Sequence, residues 1–107
     1  MLIQNDPMLG LERQRIADFA VAHRLPTVFE GISNMRLGVL LSYGPDLIEN
    51  ARLAAGYVAK ILKGTNPADL PVQQPTKFLL KLNLETAKAI GLTIPPGLVD
   101  LADEVIE

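Results

Sequence analysis

The chain has 107 residues, a formal net charge of −2 and 21% charged residues, with no basic run of the kind a nucleic-acid partner requires. It contains no cysteine, which excludes disulfides and thiolate metal sites, and no apolar run long enough to span a membrane. Its 49% hydrophobic content suits one modest globular core.

Met1 to Asp6 lacks the basic start and long apolar stretch of a secretory signal. Leu2–Asn5 reads as a strand, and Asp6-Pro7 caps and starts a helix. Leu9, Ile16, Phe19 and Ala20 give that helix an apolar face, and His23 falls one turn beyond Phe19 on the same stripe. With no second His and no Cys, His23 reads as a helix-end residue rather than a ligand or base. Pro26 ends the helix, Thr27–Phe29 is a short β-rich run, and Glu30-Gly31 follows at its carboxyl end.

The stretch Leu37 to Gly64 predicts one βα unit. Leu37–Leu41 is apolar or Gly throughout, as in a strand buried on both faces. Ser42-Tyr43-Gly44-Pro45-Asp46 reads as a turn, with Pro45 at the first helical position and Asp46 at the positive end of the helix. Leu47, Ile48, Ala51, Ala54, Ala55, Val58, Ile61 and Leu62 then recur at helical spacing, and Gly64 suits a left-handed cap. Thr65 to Pro75 is a proline-broken surface crossing. Lys77–Leu82 predicts a strand, Asn83 caps a helix over Leu84–Ile90, and Gly91 closes it. Leu98, Leu101, Ala102, Val105 and Ile106 predict a final amphipathic helix.

Asp6, Glu30, Ser42, Tyr43 and Asp46 all follow predicted strands at their carboxyl ends, where α/β sheets collect ligands. Carboxylates, a hydroxyl, a ring and a helix N-terminus suit a polar small molecule. The Tyr43 ring either meets that molecule or packs on the following helix, whereas Tyr57, in mid-helix, reads as packing. No phosphate-cradling loop and no GxSxG turn occurs, and the carboxylates read as caps and loop charges. The expectation is a binding protein without catalytic residues, metal or cofactor.

Several motifs in one order carry a family resemblance: Leu40-Leu41-Ser42-Tyr43-Gly44-Pro45-Asp46-Leu47, then Ala54-Ala55-Gly56-Tyr57-Val58-Ala59-Lys60-Ile61-Leu62-Lys63-Gly64. Pro67-Ala68-Asp69-Leu70-Pro71-Val72 and Asn83-Leu84-Glu85-Thr86-Ala87-Lys88 continue it. The chain resembles, from about Asp6 to its end, the closing third of bacterial ABC-transporter substrate-binding proteins, the group with tryptophan- and tyrosine-binding members. Leu37-Gly38-Val39 keeps one of the two glycines usual there.

The resemblance implies an α/β fold, a three-layer Rossmann-like lobe fragment with a mostly parallel sheet, periplasmic-binding-protein-like type I. Residues 1–43 would end the second lobe, and 44–107 would supply the hinge return and C-terminal helices. It further implies an extracytoplasmic receptor, periplasmic or lipid-anchored, that takes an amino-acid-like solute to ABC permease subunits. The segment by itself is expected to form a homodimer through its uncovered apolar edges. The alternative is a stand-alone self-associating module that binds no solute.

Overall fold

The computed structural model describes residues 1–107 and shows an α/β protein built on one five-stranded sheet. In chain order it runs β1 (Leu2–Ile3), α1 (Pro7–Leu11), α2 (Arg13–Ala22), β2 (Val28–Phe29), β3 (Leu41–Pro45), α3 (Leu47–Leu62), β4 (Phe78–Asn83), α4 (Leu84–Ile90), α5 (Pro96–Leu101) and β5 (Glu104–Ile106). The strands lie in sequence order, with β1 parallel to β2, β2 to β3 and β4 to β5. Between β3 and β4, Asn83 N–H donates to the Leu40 carbonyl at one end and Asp46 N–H to that of Lys77 at the other. Such pairing belongs to antiparallel strands.

The chain forms two compact units, Met1–Gly44 with Leu79–Glu107, and Pro45–Phe78. In the first, Ile3, Ala17, Phe29, Ile32, Met35, Val39 and Ile106 make the main buried cluster. Leu40, Ala87 and Ile90 make a smaller one. Asn83 is the polar pin of this unit: its Nδ2 donates to the Met35 carbonyl at 2.9 Å while its Oδ1 caps α4 at the Thr86 amide. The second unit is α3 with the crossing after it. There Tyr57 donates its hydroxyl to the Pro71 carbonyl, in keeping with a packing role.

The predicted caps at Asp6, Asn83 and Gly91 are present, and Gly64 takes a positive φ. Two elements depart from expectation. Leu37–Leu41 is not the strand; a 3₁₀ turn over Met35–Leu37 ends at Gly38 in a left-handed conformation, and pairing starts only at Leu41. Val39 and Leu40 are buried all the same, and the Thr27 hydroxyl accepts from the Leu40 amide at 3.0 Å where a strand partner would have done so. The residues read as a turn, Ser42 to Pro45, are the strand. Asp46 accordingly stands at the N-cap, not inside the helix, and Pro45 closes β3 rather than opening α3.

The last apolar run is also divided. The predicted helix stops at Leu101, and Glu104–Ile106 pairs in parallel with Lys81–Asn83. A local clamp sets this register. Asp103 N–H donates to the Leu80 carbonyl, its Oδ2 accepts from the Leu80 amide at 2.8 Å, and Lys81 meets Glu104 at 3.1 Å.

Candidate functional site

The carboxyl ends of β1, β2 and β3 form one edge. The register Ile3–Phe29–Ser42 puts Gln4, Glu30 and Tyr43 at the next level and Asn5 and Gly31 one step on. Three contacts tie these ends together. Asn5 N–H donates to Glu30 Oε2 at 3.2 Å, and Ile32 N–H donates to Ser42 Oγ at 2.9 Å. In the third, the backbones of Gly31 and Gly44 touch so closely that a Cβ on Gly44 would sit 2.6 Å from the Gly31 nitrogen. Gly31 itself has φ of 65°, which favours glycine.

Of the predicted residues, Asp6 and Glu30 are exposed and lie on this edge. Asp6 Oδ1 accepts from the Met8 and Leu9 amides, and so caps α1. Tyr43 is 54% exposed. Ser42 is 2% exposed, and its hydroxyl faces inward to hold the Ile32 amide. Ser42 therefore shapes the loop after β2 from beneath.

Asp46 belongs to the second unit. Its Oδ1 accepts from the Ile48 and Glu49 amides, and its Oδ2 lies 3.5 Å from Lys77 Nζ. The Glu49 amide holds its carboxyl below the ordinary 3.8; the Ile48 amide and Lys77 act the same way, against a smaller opposing effect of desolvation.

The edge is acidic and hydroxylic, with backbone turns fixed by two glycines. It offers acceptors for a cationic amine and a ring for an apolar or aromatic group. His23 is at the C-cap of α2, its ring stacked on Phe19 with centroids 4.1 Å apart and its Nδ1 at the Phe19 carbonyl. No group of three or more His, Cys, Asp or Glu is arranged to hold a metal. A separate groove of about 230 Å³ lies in the second unit between α3 and Gln73–Pro75, lined by Asn50 and Tyr57 among others. Sequence reasoning placed Gly44 at this edge but missed its close backbone approach to Gly31. A glycine inside a run that pairs as a strand is the signal for close backbone approach.

A mostly parallel sheet with helices between its strands and an open edge at their carboxyl ends defines the lobe of a periplasmic-binding-protein-like fold. The family described as ABC transporter substrate binding protein matches residues 3–106, and the chain belongs to it.

Solved structures agree. A conserved domain protein from Vibrio cholerae is 26% identical and superposes with a TM-score of 0.89, over 97% of this chain and 35% of that one. An ABC domain from Streptococcus pneumonia, in complex with L-Trp, is 22% identical with a TM-score of 0.86, over 98% of this chain and 36% of that one. A ligand-free, open substrate-binding protein with adhesive properties from Clostridium difficile gives 16% and 0.65, over 99% of this chain and 35% of that one. The chain thus spans about a third of the length of these structures. Comparison with curated proteins returns no match.

Proposed function

We propose that this chain supplies the solute-facing edge of an ABC importer's extracytoplasmic receptor, and that it binds an amino-acid-like solute without transforming it. The family match over residues 3–106 carries the receptor reading. The edge geometry favours an amino acid: Asp6 and Glu30 present carboxylates to an ammonium group, and Tyr43 presents a ring to the side chain. Ser42, Gly31 and Gly44 hold these groups in place, and Asp46 anchors α3. Since relatives are about three times as long, the bulk of the affinity comes from surfaces that close over this edge, and ABC permease subunits are the partners of the closed form.

The absence of tryptophan makes added L-tryptophan visible by its own fluorescence. Backbone amide spectra of the 107-residue chain, titrated with L-tryptophan, L-tyrosine and L-glutamate, test the reading. Amides of Asn5, Asp6, Glu30–Ile32 and Ser42–Gly44 should shift together, with dissociation constants of about 1 mM or weaker for half a site. Glu30→Gln should reduce the shifts. If this edge stays unmoved by every amino acid while shifts appear elsewhere, the reading fails.

A further inference from the structure

Parallel strands are usually joined by a helix. Between β2 and β3 the chain instead runs through Gly31 to Gly38 with no regular structure beyond the 3₁₀ turn over Met35–Leu37. Gly31 and Gly38 both have positive φ, 65° and 97°, so the segment begins and ends in sharp changes of direction. Side chains from β3, β4 and α2 fix what lies between. Ser42 Oγ accepts from the Ile32 amide at 2.9 Å, Asn83 Nδ2 donates to the Met35 carbonyl at 2.9 Å, and Gln14 Nε2 donates to the Leu37 carbonyl at 3.3 Å.

The Asn83 bond sits deep. Asn83 is 2% and Met35 1% exposed, so water does not replace the amide where it is lost. The Met35 carbonyl also takes the Gly38 amide, at a longer 3.4 Å. Ile32 and Met35 enter the main buried cluster together. Ser33 and Asn34 are all that separates them, and Asn34 Oδ1 is itself bound to the Arg36 amide. Little free chain is left to absorb a displacement of Met35. It passes to Ile32 and, through Gly31, to Glu30 at the strand edge.

We propose that Asn83 is a positioning residue for Glu30 and, through it, for the solute. It stands on β4 and makes no contribution to the strand edge itself; its bond to Met35 holds the segment after β2 at the level where Glu30 meets the ammonium group. The effect on affinity rests on the amino-acid reading of that edge, whereas the hold on Glu30 does not.

Asn83→Thr separates the two jobs of this side chain. Threonine is close to asparagine in size, suits a strand and an N-cap, and keeps an oxygen for the Thr86 amide. Its hydroxyl is one bond shorter and falls short of Met35. Leu82→Ala, the preceding residue of β4, is the reference: it loses core packing and leaves the Asn83 bond in place. Amide hydrogen exchange and L-tryptophan titration of the 107-residue chain read the outcome. In Asn83→Thr the Glu30 and Ile32 amides should exchange up to about tenfold faster relative to those of α4, and L-tryptophan should bind about threefold or more weakly. Leu82→Ala should speed exchange across the first unit alike and leave the affinity of the folded chain unchanged. The same exchange profile in both variants overturns the proposal, as does faster exchange at Glu30 and Ile32 with unaltered affinity. Faster exchange there in a chain whose wild type binds no amino acid keeps Asn83 as the residue that places Glu30 and removes the amino-acid reading instead. Should Asn83→Thr fail to fold, Asn83→Ser, smaller and equally able to cap α4, takes its place.

Discussion

Gly44 carries the strictest demand of any single residue. Its missing Cβ is what lets β3 lie against the turn after β2, and the atom it would strike is backbone, which has little room to move. Gly44→Ala is therefore expected to cost about 1–3 kcal/mol in chemical denaturation, as overpacking does, and to displace the Glu30–Gly31 turn. Ser42→Ala should cost a similar amount, roughly 1–3 kcal/mol, because the buried Ile32 amide loses its acceptor. Tyr43 behaves differently. Its ring is more than half exposed, so Tyr43→Ala should leave the melting temperature nearly unchanged while it weakens solute binding by about 1–3 kcal/mol. A large drop in melting temperature with unaltered affinity would instead return the ring to a packing role.

At the level of elements, α3 depends on its cap more than on burial, since it buries no residue. The Asp46 carboxyl titrates below its ordinary value because its charged form accepts the Glu49 and Ile48 amides and faces Lys77. A depressed carboxyl contributes stability that is fully present above its unfolded value and is lost as pH falls through the folded one. Helical ellipticity of the wild-type chain should thus decline as pH drops below 3.8, and Asp46→Asn should remove that part of the decline. An identical acid profile for both proteins would show that the cap contributes nothing measurable.

The two misread elements share a cause. Apolar runs show that residues are buried, not how their amides are satisfied. At Leu40 a threonine hydroxyl replaces the strand bond, and at Glu104–Ile106 a partner 23 positions earlier in the chain, β4 (Lys81 opposite Glu104), converts a helical period into a strand.

For the whole molecule, stability rests on the first unit, where the largest side chains are fully enclosed. Leu82→Ala, in β4, should cost about 2–5 kcal/mol, a large part of the roughly 5–15 kcal/mol that holds a domain of this kind together. Thermal or denaturant unfolding checks this directly, and a loss under 1 kcal/mol would show that the site collapses around the gap. The family, the α/β class and the caps at Asp6, Asn83 and Gly91 were legible in the residues alone, because motifs, periodicity and capping are local properties of a few consecutive positions. The strand edge was legible in outline for the same reason: Asp6, Glu30 and Tyr43 follow short β-rich or apolar runs. Register was not. A strand that starts four residues later turns Ser42 inward, makes Gly44 a contact point and moves Asp46 to a cap, and that shift depends on Gly38 and on the distant Thr27. Whether the apolar face of α3 is covered was also decided in three dimensions, since a helical stripe shows that such a face exists and only packing decides what covers it.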